Sequence, residues 1–216
     1  MDNCNMIKSD FFDEWADEYD EDVRIADKND EYPFAGYRQI MGCIYNVVTE
    51  KKNAKILDIG IGTGFLSSKL CESGCSITGV DFSQDMLDVA KSKMQDATLF
   101  LCDFANGLPP EVKNDKYDFI ISTYALHHLT DALKVCFIKS LKPMLCEGGQ
   151  IIIGDIGFKT RDDLECCKKS HPPDEWDDNE HYFVFEEISE QLADSYNVSC
   201  TQISHCAGLM YIVSAR

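Results

Sequence analysis

The stretch Lys55-Ile56-Leu57-Asp58-Ile59-Gly60-Ile61-Gly62-Thr63-Gly64-Phe65-Leu66 limits what this chain can become. Its first half reads as a short apolar strand. Three glycines at alternate positions then turn the chain, and Leu66 and Leu70 carry it on with helical spacing. Glycine opens backbone torsions closed to other residues and lets a ligand approach the main chain closely. A strand, a glycine turn and a helix start together make a place to hold a nucleotide-like ligand. The competing reading is an ordinary glycine-rich connection between strand and helix.

Spacing narrows the ligand. A dinucleotide fingerprint needs its third glycine three residues after the second, so that helix and strand pack closely. Phe65 stands there, and the third glycine comes early, at Gly64. That argues against a nicotinamide-dependent oxidoreductase. No G-x-x-x-x-G-K-[ST] occurs, so a phosphate-cradling P-loop is absent. Asp58, just before the turn, would bring negative charge towards a pyrophosphate. A ligand carrying a cation suits it better.

Leu57-Asp58-Ile59-Gly60-Ile61-Gly62-Thr63-Gly64 resembles the glycine loop of the class I S-adenosylmethionine (SAM)-dependent methyltransferases. The closer likeness is to small stand-alone members whose well-known relatives act on quinones and other small metabolites. The resemblance implies an α/β fold: a Rossmann-like, doubly wound, mostly parallel sheet of seven strands with an antiparallel last strand and a helical N-terminal lid. It also implies SAM as cofactor, S-adenosylhomocysteine as product, and Asp58, Gly60, Gly62 and Gly64 at the cofactor.

Later strand ends extend the likeness. Ser76–Asp81 reads as the second strand, and a carboxylate at its tip, Asp81, can accept two hydrogen bonds from ribose hydroxyls. The alternative for Asp81 is a helix cap, but Ser83 is available for that before the helix Asp85–Lys93. Phe82 and Met86 are placed to pack on adenine. The third strand, Thr98–Cys102, leads into Asp103-Phe104. In the family an acidic residue there takes the adenine amino group and the next backbone N–H meets a ring nitrogen; a solvent-facing Asp is the alternative. The fourth strand, Lys116–Ser122, reads as central and buried by its continuous apolar run. It ends at Ser122, counted among the cofactor contacts, followed by Thr123-Tyr124-Ala125-Leu126-His127-His128. Enzymes that methylate base amino groups carry [DN]-P-P-[YF] at this position, and this chain does not. The paired histidines resemble the L-H-H of small-molecule relatives. Either His127 or His128 could serve as general base, since imidazole titrates near neutral pH. The alternative is that one packs beneath the strand end while the other lines the cofactor wall, catalysis resting on positioning and desolvation.

Charge bears on the acceptor. The formal net charge of −18 repels a phosphate backbone, which counts against tRNA, rRNA or DNA and favours a small neutral or cationic molecule. No apolar run nears the ~18 residues of a membrane span. The N-terminus lacks the basic and apolar regions of a signal peptide, so a cytoplasmic monomer or homodimer is expected. The eleven cysteines form no C-x-x-C pair. Cys71/Cys75 and Cys166/Cys167 do not read as halves of a tetrahedral zinc site, and no metal is expected. Cys43, Cys102, Cys136 and Cys206 sit in apolar patterns and read as reduced, hydrophobe-like thiols.

One domain, 1–216, accommodates all of this. Residues 10–31 hold eleven acidic residues and an apolar stripe of Phe11, Phe12, Trp15, Ala16, Tyr19 and Val23 at helical spacing. Phe12-Asp13-Glu14-Trp15-Ala16-Asp17-Glu18-Tyr19-Asp20 resembles the F-D-x-x-A-x-x-Y-D opening of this group, which implies a lid over 10–35 with Tyr19 near the methionine end of the cofactor. A second amphipathic helix (Tyr37, Ile40, Met41, Ile44, Tyr45, Val48) carries no chemistry in this reading. The fifth strand is Gln150–Gly154. Met144-Leu145-Cys146-Glu147 interrupts the family's L-K-P-G-G and should move only a surface turn. Asp155 falls where relatives often begin their substrate wall. Residues 157–185 read as an insert capping the site, with His171 and His181 as possible substrate or metal contacts, though isolated histidines more often do neither. A helix Phe185–Tyr196 and strands Val198–His205 and Leu209–Ala215 close the sheet. A catalytically silent SAM-binding module remains the alternative to an enzyme, because direct methyl transfer needs no invariant catalytic residue.

Overall fold

Alternation of apolar residues along the strands builds a sheet covered on both faces. A computed structural model of the chain describes residues 21–172 and 175–215. In chain order these form α1 Glu21–Asn29, α2 Tyr37–Thr49, β1 Lys55–Ile59, α3 Phe65–Glu72, β2 Ser76–Asp81, α4 Gln84–Lys93, β3 Thr98–Leu101, α5 Pro110–Lys113 and β4 Tyr117–Thr123. There follow α6 Asp131–Leu141, β5 Leu145–Phe158, α7 Arg161–Ser170, β6 Phe183–Val184, α8 Phe185–Leu192, β7 Tyr196–Gln202 and β8 Ala207–Ser214. Successive strand side chains point to opposite faces. Thus Leu57, Ile59, Ile120, Ile151 and Ile153 join one core with α6 and α8. Ile56, Phe119, Ile121 and Ile152 join another with α2, α3 and α4.

The main sheet runs β3-β2-β1-β4-β5-β8-β7. β3, β2, β1, β4 and β5 run parallel to one another, and β8 is antiparallel to both β5 and β7. Strand order reverses between β1 and β4, so their carboxyl ends part and leave a crevice, the usual ligand position in open α/β sheets. The expected seven-stranded path is present. An eighth strand, β6, has only two residues and pairs with β5 off that path. No helix among the described residues is long and apolar enough to cross a membrane.

Four expectations need correction or limits. The segment Leu145–Glu147 is the start of β5, not a surface turn: Leu145 pairs with Tyr117, and the register shifts before Phe119 pairs with Gln150. The added residues are absorbed as a bulge because Leu145 is buried and anchors the early pairing. The last helix stops at Leu192, and Tyr196 instead opens β7, buried with its hydroxyl donating to Ile138 O at 3.0 Å. Cys136 faces solvent on α6, while Cys43 and Cys206 are buried as expected; the ten cysteines among the described residues are free. Of the lid, only 21–35 is described, and Tyr19 lies outside the described residues.

The insert has its own small core. Phe158, Leu164, Trp176, Tyr182, Val184 and Cys206 pack together with Ala35 from the loop before α2. Thr160 and Asp163 form a reciprocal capping box at the start of α7. Lys134 of α6, fully buried, reaches the insert: its Nζ donates to His181 O and to Asp131 Oδ1.

Candidate active site

A cavity of about 680 Å³ opens over the carboxyl ends of β1, β2 and β4. Its floor is the glycine turn. Gly60, Gly62 and Gly64 all have positive φ, which other residues adopt only at a cost. Gly60 is also crowded, since a Cβ there would lie 2.4 Å from Ala125 Cβ. Gly62 differs: a Cβ there would meet nothing within 4 Å. The main chain at Gly62 is therefore bare towards the cavity, as a ligand approaching the backbone requires.

Three carboxylates come to neighbouring strand tips. Asp58, at 2% exposure, receives Ser67 Oγ on Oδ2 at 2.6 Å, while Oδ1 has no partner. Burial pushes its carboxyl up to about 7, against the lowering effect of the Ser67 hydrogen bond. Asp81 accepts Gly62 N–H on Oδ2 at 2.8 Å and Ser83 N–H on Oδ1 at 2.9 Å. A carboxylate has about four acceptor positions, so two remain for a ligand. Ser83 does cap α4, its hydroxyl accepting from Met86 N at 3.3 Å. Asp103 is exposed and accepts Ala105 N–H and the Asn106 side-chain amide. All three line the cavity together with Phe82, Met86 and Phe104. Phe82 is 68% exposed and Met86 44% exposed, an unusual state for large apolar side chains beside a crevice.

An aromatic tier that sequence reasoning left without chemistry closes the opposite side. Tyr124 lies 4.9 Å from Tyr37 and 5.7 Å from Phe34, ring centre to ring centre. Tyr124 has φ +49 and a buried hydroxyl without a partner. Burial raises its pKa well above the ordinary value, so it stays neutral. A non-glycine residue held at positive φ is a local signal of function, but nothing in the sequence marks it. Ser122 does not line the cavity. It is buried, and its hydroxyl donates to Ile59 O at 2.9 Å, tying β4 to β1. Thr123 and Tyr124 face the cavity instead.

The two histidines separate. His128 is exposed and lines the cavity; burial of its ring edge, then the neighbouring His127, lower its pKa, so it is neutral at pH 7. His127 is buried and does not line the cavity. Its Nδ1 sits 2.6 Å from Asp155 Oδ1 and its Nε2 3.5 Å from Glu180 Oε1. Burial opposes the imidazolium, yet Asp155 and Glu180 prevail and raise its pKa to about 10. A ring held between two carboxylates and turned away from the cavity is poorly placed to take a proton from a ligand there. Asp155 is not a substrate wall either. It is 1% exposed and also accepts the N–H groups of Leu126, His127 and Ile156. Glu180, which no sequence pattern marks, arrives from the insert. The His181 side chain is exposed, while its N–H donates to His127 O at 2.8 Å.

Taken as a ligand cradle, these groups fit an adenosine carrying a cationic amino-acid tail. The orphaned Asp58 oxygen would otherwise be an unexplained cost. Comparison with known proteins agrees. The profile of a methyltransferase domain matches residues 56–149. A protein of Anoxybacillus flavithermus, described as an uncharacterized methyltransferase, is 36% identical over 156 residues, covering 72% of this chain and 70% of its own. Among solved structures, magnesium protoporphyrin IX methyltransferase of Synechocystis PCC 6803 with bound S-adenosylhomocysteine superposes with a TM-score of 0.68 at 21% identity, over 96% of this chain and 95% of that one. A DhpI–S-adenosylhomocysteine complex superposes at 0.66 with 14% identity, over 95% and 94%. Cradle, fold and relatives converge, and the chain belongs to the class I SAM-dependent methyltransferases.

Proposed function

We propose that this methyltransferase acts on a small molecule, and that its cofactor lies in the cavity over β1, β2 and β4. The observation that carries the assignment is the set of three carboxylates at adjacent strand tips around one cavity, with Asp58 Oδ1 unpaired. Asp81 would receive the ribose hydroxyls on its free acceptor positions. Asp103 and the Phe104 N–H would meet the adenine edge, with Phe82 and Met86 on its face. Asp58 would take the ammonium of the methionine part, a charge-assisted contact that repays its burial. SAM would supply an electrophilic methyl: an acceptor O, N or S would bond to that carbon as the carbon–sulfonium bond breaks, with S-adenosylhomocysteine as the leaving group.

The chain's own part in that transfer is positioning. Phe34, Tyr37 and Tyr124 exclude water from one side of the cavity. Asp155 and Glu180 clamp His127 and so hold the Leu126–His128 turn in place. His128, neutral and at the cavity wall, is the one histidine able to receive a proton from an acceptor hydroxyl or ammonium. An acceptor that is already deprotonated needs only alignment. A net charge of −18 repels nucleic acid and favours a neutral or cationic metabolite, met in the cytoplasm.

Two measurements test this. Asp81→Ala should weaken SAM binding by ~1–3 kcal/mol in calorimetry through the lost charge-assisted pair. Unchanged affinity would reject the ribose role. Labelled SAM should yield S-adenosylhomocysteine with members of a panel of small amines, thiols and phenols. Tight SAM binding without turnover across the panel would instead favour a silent SAM-binding module.

A further inference from the structure

Outside the cofactor cavity, the fold gathers three metal-ligand side chains from two distant segments. Cys167 lies in the last turn of α7, and His171 is the residue that caps that end four positions on. His205, 34 positions after His171, lies in the turn between β7 and β8 and meets them there. One ligand atom from each of the three lies within 4.8 Å of the other two. Cys167 Sγ and His171 Nδ1 are 3.9 Å apart. A tetrahedral zinc centre with Zn–S of about 2.3 Å and Zn–N of about 2.0 Å has an S–N edge of ~3.5 Å. That pair is therefore near ligating distance; His171 Nδ1 also lies 2.9 Å from Cys167 O, a contact that ligation would replace, and side-chain rotation can bring His205 in.

We propose that Cys167, His171 and His205 bind a thiophilic divalent cation of the zinc class. Thiolate with imidazole is the donor set that such ions prefer over magnesium or calcium. The three-residue gap between Cys167 and His171 falls within the spacing of paired ligands in structural zinc sites. Asp30 Oδ2, 3.9 Å from His205 Nδ1, stands ready as outer-sphere partner or fourth ligand from the end of α1. The ion would fasten α7, the β7–β8 turn and the end of α1, all beside the Tyr32–Trp176 ring stack of the insert. A second cluster, His127, His128 and Glu180, is also compact enough for a metal. There His127 already bridges Asp155 and Glu180 as a cation, so a metal would have to displace a firmly held proton.

The reduced full-length chain is titrated with Co²⁺ and Zn²⁺ after chelator treatment. The expected result is one equivalent of Co²⁺ with a thiolate-to-cobalt charge-transfer band and intense tetrahedral d–d bands, both removed by Zn²⁺. Cys167→Ser should abolish the charge-transfer band. His205→Ala should weaken Zn²⁺ by more than about 100-fold, because even outer-sphere partners are worth roughly 10–100-fold. Mass-mapped alkylation gives a readout that needs no variant: Zn²⁺ should protect Cys167 but not its exposed neighbour Cys166. Equal reaction of Cys167 with and without Zn²⁺, or binding lost in Glu180→Gln yet kept in Cys167→Ser, would overturn the assignment. SAM affinity of Cys167→Ser, measured in parallel, should match the wild type, so failure here is separable from failure of the cofactor assignment.

Discussion

Two buried aspartates of one sheet meet opposite fates. Asp58 at the tip of β1 has one partner and an orphaned oxygen, and burial pushes its carboxyl up to about 7. Asp155 in β5 is still more buried, yet accepts three backbone N–H groups and the His127 ring. Burial alone therefore does not mark a functional carboxylate. What distinguishes the two is whether the fold completes the group's hydrogen bonds: it does so for Asp155, which becomes architecture, and leaves an Asp58 oxygen unpaired at the cavity, the contact proposed above for the cofactor's ammonium.

The largest expected effect breaks the satisfied member. Asp155→Ala leaves three backbone donors and a protonated His127 without their partner in the interior, and should cost ~3–5 kcal/mol of stability in denaturant unfolding. A loss below ~1 kcal/mol, the range of exposed pairs, would mean that the clamp is not structural. The same pair has a pH signature. The His127 pKa is raised, so its contribution is complete below its unfolded value of about 6.5 and is lost as pH rises through about 10. Wild-type stability should fall across pH 7–10, and His127→Gln should flatten that limb.

The unsatisfied member should respond with opposite sign. Its carboxyl titrates higher in the folded chain than in the unfolded one, so Asp58 costs the cofactor-free protein stability as pH rises from about 4 to 7. Asp58→Asn should therefore stabilise the cofactor-free protein by about 2–4 kcal/mol at pH 8 while weakening SAM binding. Stability and function would trade at one atom. Wild-type SAM affinity should also rise with pH up to about 7, because the cationic tail requires the ionised carboxylate. A flat affinity profile from pH 5 to 8 would argue that the ammonium lies elsewhere. At the small end, Thr160→Ala removes the α7 cap and should cost ~1 kcal/mol. SAM affinity should stay unchanged, since neither member of the comparison is touched.

Much of the cradle was legible because it rests on short-range chemistry. Gly60, Gly62, the carboxylates of Asp58, Asp81 and Asp103, and the flanking Phe82 and Met86 all lie within a few residues of a strand end, and all line the cavity, whereas Gly64 packs against Ala90 of α4 and Met94 at its end. The histidine pair was legible as a pair but not in its division of labour. His127 and His128 are adjacent in sequence, and only Asp155 and Glu180, 28 and 53 positions beyond His127, decide which one is clamped. Ser122 depends on the same long-range order: at a strand tip, alternation sends one residue under the sheet, here Ser122, and the next, Thr123, into the crevice.

The amino-acid sequence by itself determined the fold class, the succession of strands along the chain up to β5, the glycine turn and the identity of the carboxylates at its rim. These depend on backbone torsions, side-chain alternation and caps that act within a few residues. Tertiary structure alone decided which buried carboxylate would be left wanting a partner, which histidine would be held charged, how Leu145–Glu147 would enter the sheet, and that Cys167 and His171 would meet His205. Each of those outcomes is a contact between segments tens of residues apart, where the free energy belongs to the packed arrangement and to neither segment alone.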